Sequence, residues 1–411
     1  MRNQLITLMI LCFGVLSGAA QNITVSDTTK SHGFDGPSSV SGQIERDATH
    51  ETKFMKGYFD FKSRLKENTG LSYGIDFNSM VLYSNSSRDT STAAGGAFRV
   101  YLNWELVGRK SGNTGSFIAK VENRHAYGKQ VPPQDLGSDI GYVGLVAVPF
   151  SNIKWALTNF YWNQNLLKDR LSFVVGALDA TDYTNVYGLV DPWNDLYNLA
   201  FSNDPTIPAP NQGLGMAIRG ILSKHLYLLG SITDANGDPT DPLNMFDSFF
   251  NTSEYFTSFE FGWIKTYDRR YTDNIHLTYW YADPRKEANV LGGWGLAFSY
   301  NQLFNENWQP FFRAAYAKDG GALWEASLSA GVGYNISPIV NQIGFGLNWG
   351  RPSESSLGSN LNDQITAELY CRLHLWKILT ITPDVQVLIN PAMNPTEDLL
   401  AVFGVRSRIS F

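Results

Sequence analysis

Charged side chains at every second position are the residues of this sequence best suited to chemistry. Glu122 lies between Lys120 and Arg124, and Arg406 is followed at the same spacing by Arg408. Carboxylates accept hydrogen bonds and guanidinium groups donate them, so a surface that carries both can bind the hydroxyl groups of an uncharged solute. A spacing of two places such side chains on one face of an extended strand. The pattern therefore indicates binding by strand faces.

Composition restricts the fold that can present those faces. Of the 411 residues, 14% are aromatic and only 17% are charged, against roughly 25% charged in an average soluble domain. Mean hydropathy is −0.19, and beyond the N-terminus no stretch approaches the ~20 apolar residues of a membrane-spanning helix. This combination is typical of a transmembrane β-barrel. The net charge of −6 argues against nucleic acid as a partner, because nucleic-acid binding needs a basic field.

The N-terminus predicts export. Met1-Arg2 precedes an apolar run from Leu5 to Leu16, and small residues at 17–20 suit cleavage before Gln21. Residues 1–20 are therefore predicted to be a signal peptide. Its removal takes away Arg2 and no acid, which leaves 31 basic and 38 acidic residues, a net charge of −7, and one cysteine, Cys371. With one thiol, no internal disulfide is expected.

Residues 21–70 read as a separate periplasmic segment. Positions 21–50 are rich in Ser, Thr, Asp and Gly, and helical spacing from Phe54 to Lys66 predicts a short amphipathic helix that ends near Gly70. A solvated lead-in is the alternative. The segment could cap the periplasmic mouth, tether the barrel or reach a partner, and its role stays open.

Residues 71–411 alternate with a period of two and predict an all-β fold, a transmembrane antiparallel barrel of sixteen strands. The predicted strands are 71–83, 96–107, 115–126, 152–164, 170–178, 213–222, 225–233, 254–265, 273–283, 292–301, 308–317, 324–334, 341–350, 364–375, 378–389 and 399–411. Connections after odd-numbered strands have 12, 25, 34, 20, 8, 6, 13 and 9 residues, and those after even-numbered strands 7, 5, 2, 7, 6, 6 and 2. Long external loops and short periplasmic turns produce this parity.

Of 21 charged residues in those spans, 18 lie opposite the apolar stripe, which places them in the lumen. They are Arg99, Lys120, Arg124, Lys154, Arg170, Arg219, Arg313, Arg372, Arg406, Arg408, Asp76, Glu105, Glu122, Glu254, Glu260, Glu325, Glu368 and Asp384. The predicted pore-lining set adds Trp280 and omits Asp76, Lys154, Arg170, Glu254 and Glu325. An ion pore would show rings of one sign, whereas these nearly balanced charges suit a neutral polyhydroxy solute. The alternative is that they pair across strands and only maintain the shape and the hydration of the barrel.

The longest predicted loop, 179–212, contains Tyr183, Tyr187, Trp193, Tyr197 and Phe201. Long loops of this kind usually have a function, so we expect it to fold into the barrel and narrow it. A lid that packs on neighbouring loops is the alternative. No catalytic set, metal site or cofactor is predicted, although Asp234 to Asp238 resembles the start of a calcium loop whose twelfth position is Met245.

Several stretches resemble the OprB-type carbohydrate-selective porins, a likeness that extends from about Gly57 to Phe411. They are Thr69 to Asp76, Leu171 to Thr181, Asn203 to Gly215, Asp234 to Pro239, Trp308 to Arg313, Gly331 to Tyr334, Gly344 to Gly346, Glu368 to Tyr370, Thr382 to Gln386 with Asn390-Pro391, and Gly404 to Phe411. The resemblance implies a sixteen-stranded outer-membrane barrel with loops folded inward over a narrow Arg- and Glu-lined channel for passive diffusion of sugars. The polar stretch 21–50 departs from the family pattern.

The expected function is therefore that of an outer-membrane porin and not of an enzyme. Expected partners are small carbohydrates, outer-membrane lipid and, through the terminal Phe411, the insertion machinery; oligomerisation is left open. The alternatives are a general or ion-preferring porin of the same build, a barrel-based hydrolase, and an adhesive barrel with a plugged lumen.

Overall fold

The computed structural model describes residues 39, 40, 43, 55–336, 341–376 and 378–411. The predicted signal peptide lies outside the described residues. Sixteen antiparallel strands pair with their neighbours in sequence, and β1 pairs with β16 to close the barrel. The strands are β1 Leu71–Ser84, β2 Thr92–Val107, β3 Gly115–Ala126, β4 Lys154–Leu166, β5 Leu171–Leu178, β6 Gly213–Ile221, β7 Leu226–Asp234, β8 Tyr255–Ile264, β9 Asn274–Ala282, β10 Gly293–Asn301, β11 Trp308–Asp319, β12 Trp324–Asn335, β13 Gln342–Pro352, β14 Gln364–Trp376, β15 Leu379–Ile389 and β16 Leu399–Ser410.

The predicted barrel is confirmed, and the strand ends agree within two residues except at β2. That strand begins at Thr92 and not at residue 96. Ala93 to Gly96, near the start of this strand, do not alternate between apolar and polar residues, so the sequence pattern did not predict them as part of it. Two of its small residues are required by close neighbours: the Tyr127 ring packs where a side chain on Gly96 would stand, and the His125 carbonyl and Pro133 ring lie where one on Gly95 would stand.

The strands bury one face in the lumen and expose the other. In β9, Ile275, Leu277 and Tyr279 are exposed on the outside, whereas His276 and Thr278 between them are buried. An apolar exterior with a polar interior is the arrangement of a barrel in a bilayer. A register shift at Lys120/Val121 between β3 and β4 changes which residues of β4 face inward.

One helix of fourteen residues, α1 Lys56–Thr69, precedes the barrel, as the helical spacing predicted. Gly70 ends it in the left-handed conformation, at φ 78°, and Lys62 Nζ donates to the Phe411 carbonyl at 3.0 Å. Shorter helices lie in the connections: α2 Leu136–Ile140, α3 Leu199–Ser202, α4 Asn244–Asp247 and α5 Glu354–Leu357, with 3₁₀ turns at Pro133–Asp135, Ala180–Asp182 and Tyr267–Arg269 and a π turn at Ser248–Thr252. Within the described residues, no helix has the length and apolar character needed to span a membrane.

Candidate functional site

The loop between β5 and β6, residues 179–212, crosses the lumen, as its aromatic content predicted. At one wall, the Asn185 backbone N–H donates to the Glu260 carboxylate at 3.1 Å, and its side-chain amide reaches Thr278 at 3.2 Å. At the other wall, the Glu368 carboxylate accepts from the backbone N–H groups of Tyr197 and Asn198, at 2.7 and 3.1 Å. The crossing loop is therefore held by carboxylates of β8 and β14.

Arginine side chains hold the carbonyl groups of the same loop. Arg406 donates to the carbonyls of Pro192 and Asp195 at 2.6 and 3.1 Å, and Arg372 contacts the Asp195 carboxylate at 2.5 Å. Arg313 of β11 donates to the Asn203 carbonyl at 2.8 Å. Because a buried backbone carbonyl needs a hydrogen-bond partner, these lumenal arginines make an irregular loop tolerable inside the barrel.

A second long loop, residues 127–153 between β3 and β4, folds against the crossing loop. Backbone hydrogen bonds join Val148 N–H to the Tyr197 carbonyl at 3.1 Å and Leu199 N–H to the Leu145 carbonyl at 2.9 Å. The Val143 carbonyl accepts from Trp324 Nε1 at 3.0 Å. Burial and the nearby carboxylates of Asp384 and Glu368 raise the pKa of the Tyr197 hydroxyl well above its usual range, so it stays neutral.

Two ion clusters lie beside the crossing loop on β1 to β3 and β16. In the Asp76 cluster (Asp76, Arg99 and Arg408), the carboxylate contacts the Arg99 Nε at 2.8 Å and the Arg408 Nε at 2.9 Å. The Tyr101 hydroxyl also donates to this carboxylate. All three members of the cluster are buried. Its charges are therefore satisfied by one another, as buried ions require.

The Glu122 cluster (Lys120, Glu122 and Arg124) has the same composition. Its carboxylate contacts the Lys120 Nζ at 3.0 Å and the Arg124 Nε at 2.6 Å. Trp193 of the crossing loop stands between the two clusters, with its ring centroid 3.7 Å from the Arg99 guanidinium carbon and 5.4 Å from that of Arg124. The clusters are therefore joined by one aromatic side chain from the loop.

A cavity of about 920 Å³, here called the vestibule, opens above these groups at the end of the barrel that carries the long loops. Lys120, Arg124 and Trp193 line it together with Asp179 and Asp182 of the crossing loop. Asp182 also lines a cavity of about 30 Å³ deeper in the barrel, which has room for a few water molecules at most. Asp182 therefore borders both cavities.

The N-terminal segment also reaches the lumen. Val40 is buried and belongs to the same apolar cluster as Tyr101 and Ile118 of the barrel wall. The Gln43 amide donates to the Asp191 carboxylate of the crossing loop at 2.7 Å. That carboxylate in turn accepts from the Trp193 backbone N–H at 3.1 Å. A described part of the predicted periplasmic segment therefore supports the loop that carries Trp193.

Comparison with known families decides the identity. The model of the carbohydrate-selective porin family, OprB, matches residues 125–411. This chain belongs to the OprB family. It is an outer-membrane protein with the fold of a channel.

Solved structures agree with the fold of this OprB-family chain. A high-pH structure of OprB from Pseudomonas putida has a TM-score of 0.67 at 14% identity, covering 86% of this chain and 97% of that one. A low-pH structure of the same porin has a TM-score of 0.53 at 13% identity, covering 88% and 99%. No curated protein matches the chain. At these identities the likeness extends to the fold alone.

The structure divides the predicted pore-lining residues of this OprB-family chain into groups. Glu260, Arg313, Glu368, Arg372 and Arg406 hold the crossing loop, and Arg99 and Arg408 belong to the Asp76 cluster. Lys120, Glu122 and Arg124 form the other cluster, and the cationic members line the vestibule. Asp384 is buried beside Gln386 at 3.5 Å, and Arg219 donates to the Tyr267 hydroxyl at 2.9 Å near the short-turn end.

Two residues of the predicted set stand apart from the vestibule. Trp280 is fully buried, stacks on Phe256 and packs against Gly320, so it forms part of the wall and does not line the vestibule. Glu105 is half-buried near the short-turn end of β2 and is in neither ion cluster. Alternation predicted an inward direction for both, but it does not report depth in the barrel or cover by a neighbour.

Sequence reasoning missed the polar residues of the crossing loop. Asn185, Asp191 and Asp195 supply the contacts that join it to β8, to Gln43 and to Arg372. Their type gave no signal, because Asn and Asp are common in any loop. The Asp234 to Asp238 turn uses its first carboxylate to accept from the Asn236 N–H at 2.9 Å. Among the described residues, no three His, Cys, Asp or Glu side chains converge as a metal site.

Proposed function

We propose that this chain lets small neutral carbohydrates diffuse passively across the outer membrane, and that residues lining the vestibule select them. The observation that carries the proposal is the presence of Lys120, Arg124, Asp182 and Trp193 around one cavity. Ammonium and guanidinium groups donate to sugar hydroxyls and carboxylates accept from them. Trp193, which is 6% exposed, adds a small apolar surface that a sugar ring can contact.

The charges of the vestibule favour an uncharged solute. Besides the two cations of the Glu122 cluster, Arg285 lines the cavity, and Asp179, Asp182, Asp238 and Asp283 supply acids. With both signs around the cavity, neither anions nor cations gain a strong preference. Contacts that are individually weak let a solute enter and leave again, as conduction requires.

Liposome swelling with the purified protein tests the proposal. Sugars of rising size are compared with amino acids of matched mass, and single-channel current is recorded as sugar is added. We expect faster entry of sugars and a current that falls with sugar concentration. Permeation ranked by size alone would reduce the function to that of a general porin of the same build, and no swelling would contradict an open channel.

The Trp193→Ala variant tests the contribution of Trp193 to sugar binding in the vestibule. Removing the ring deletes its apolar surface and its contact with Arg99, so the block of current by sugar should need about tenfold more sugar, because a cation–π or stacking contact contributes about 0.5–2 kcal/mol. Phe250→Ala is the control, because Phe250 is 66% exposed on another loop and does not line the vestibule. Equal sugar block in Trp193→Ala and the control would remove Trp193 from the site.

A further inference from the structure

A third cavity, of about 570 Å³, lies at the opposite end of the barrel from the vestibule. It is formed by three short turns: that between β4 and β5, that between β6 and β7, and that between β8 and β9. We call it the basic cleft, and its charged and titratable lining consists of Lys168, Asp169, Arg170, Lys224, His225, Lys265 and Tyr267. Asp169 is the one acid among the described residues that line it.

The cationic side chains of the basic cleft do not pair with other described residues of the protein. In the part of the chain that the structure describes, the side chains of Lys168, Arg170, Lys224 and Lys265 make no hydrogen bond or ion pair. Elsewhere in the barrel, lumenal arginines such as Arg406 donate to loop carbonyls. Four unpaired cations around one cavity, in a chain whose overall charge is −6, form a local anion-attracting site.

Apolar side chains border the basic cleft on the membrane side. Leu222 and Leu167, in two of its turns, are 55% and 65% exposed. Trp263 of β8 lies on the same outward face as the exposed Phe261, and the His225 ring stacks on it at 5.8 Å. An exposed tryptophan near a strand end is typical of the membrane–water boundary. Cations therefore line the cleft, and exposed apolar side chains lie beside it on the outer surface of the barrel.

We propose that the basic cleft binds the anionic headgroup of a phospholipid in the periplasmic leaflet. The phosphate would lie among Lys168, Lys224 and Lys265, and the acyl chains would run along the outer surface beside Leu222 and Trp263. Basic pockets at the membrane boundary recognise anionic headgroups through charge and require little shape complementarity. This site does not depend on what the lumen transports.

A water-soluble anion is the rival occupant. The cleft shares Ile221 and Ile264 with the small cavity inside the barrel, so an anionic solute that leaves the lumen would pass close to it. The exposed apolar border favours the lipid, because a soluble anion has no acyl chain that could contact Leu222 or Trp263. Competition between a lipid and a soluble anion distinguishes the two occupants.

Native mass spectrometry of the purified protein in detergent measures the binding. The probes are short-chain phosphatidylglycerol, phosphatidylcholine with the same chains, and glucose 6-phosphate. We expect phosphatidylglycerol to bind at least tenfold more tightly than phosphatidylcholine, and glucose 6-phosphate not to displace it at equal concentration. Equal binding of the two lipids would overturn the proposal. Displacement by glucose 6-phosphate would assign the cleft to soluble anions and also overturn it.

Paired variants locate the site. In Lys168→Gln/Lys224→Gln, affinity for phosphatidylglycerol should fall by about 25-fold, because each lysine near an anionic surface contributes about fivefold. The control, Lys66→Gln/Lys110→Gln, removes the same charge from exposed residues near the same end of the barrel that do not line the cleft, and it should keep the affinity of the unmodified protein. An equal loss in both pairs would mean that only net charge matters, against the proposal. The lipid comparison on the unmodified protein stands even if a variant does not fold.

Discussion

The Asp76 cluster and the Glu122 cluster have the same composition, one carboxylate between two cations, yet only one of them faces open space. In the Asp76 cluster, no side chain is more than 3% exposed, and the Trp193 ring covers Arg99. In the Glu122 cluster, the Arg124 side chain is 14% exposed, and both cations line the vestibule. The difference arises from the crossing loop, which seals the first cluster and leaves the second accessible.

The comparison separates the inward charges of this barrel by position. Charges under the loop pair with buried groups, whereas Lys120 and Arg124 line the cavity in which we propose that a solute binds. Both kinds occupy alternate positions of a strand, so strand alternation does not distinguish them. Substitutions at matched positions of the two clusters should separate stability from selectivity.

The largest effect is expected from Asp76→Asn. This change removes the counter-charge that Asp76 supplies to the buried Arg99 and Arg408, which costs about 3–5 kcal/mol of stability. Thermal unfolding followed on gels by loss of the folded mobility should show a clearly lower midpoint. The ion preference of the remaining folded channels should stay unchanged, because the cluster is sealed. Glu325→Gln, at a half-buried position away from both clusters, is the control.

Glu122→Gln should have a smaller effect on stability and a larger one on selectivity. The Arg124 partner is partly exposed, so the loss of stability should be about 1–3 kcal/mol. The vestibule would gain one net positive charge, and the reversal potential in a KCl gradient should shift toward that of an anion-preferring channel. If the shift is as small as in Asp76→Asn, the Glu122 cluster does not face the permeation route.

Lys120→Gln should weaken sugar binding. Losing one charged donor at the vestibule should weaken the block of current by sugar about threefold to tenfold, because a hydrogen bond contributes about 0.5–1.5 kcal/mol. Titration of single-channel current with sugar measures this. Lys129→Gln, on an exposed part of the neighbouring loop, should leave the titration unchanged. A matching loss in that control would point to general charge effects.

The smallest effect is expected from Gln43→Ala. The Asp191 carboxylate keeps the N–H of Trp193 and the amide of Asn194 as donors, so the loss should be about 0.5 kcal/mol. The Trp193 ring should then be less well held, and the open-channel current should become noisier. The exposed Gln130→Ala is the control. Unchanged noise would show that Gln43 does not support the loop.

Much of the barrel could be predicted because its determinants are local and periodic. The alternation of Ile275, Leu277 and Tyr279 with polar residues follows from the geometry of a strand between lipid and water, and loop length follows from which side of the membrane a loop occupies. The start of β2 was not predicted, because Ala93 to Gly96 carry no apolar alternation, and the packing of Tyr127 against Gly96 depends on the tertiary structure.

The site was less predictable than the barrel. The sequence indicated that the crossing loop folds inward, since a long loop with Trp193 and Tyr197 would expose much apolar surface in water. It did not indicate which lumenal groups the loop meets. Trp280 shows the same limit: its inward direction was evident, but its cover by Phe256 and its packing on Gly320 depend on strands and loops far apart in sequence.

The amino-acid sequence by itself determined that this chain forms a sixteen-stranded barrel, because strand period, loop parity and the cost of a charge in lipid act residue by residue. Only the tertiary structure decided that the Asp76 cluster is sealed while the cations of the Glu122 cluster line the vestibule, that Gln43 reaches the crossing loop, and that Lys168, Lys224 and Lys265 line one cleft. Those outcomes depend on where a loop or turn lies relative to distant strands, and no local pattern records that position.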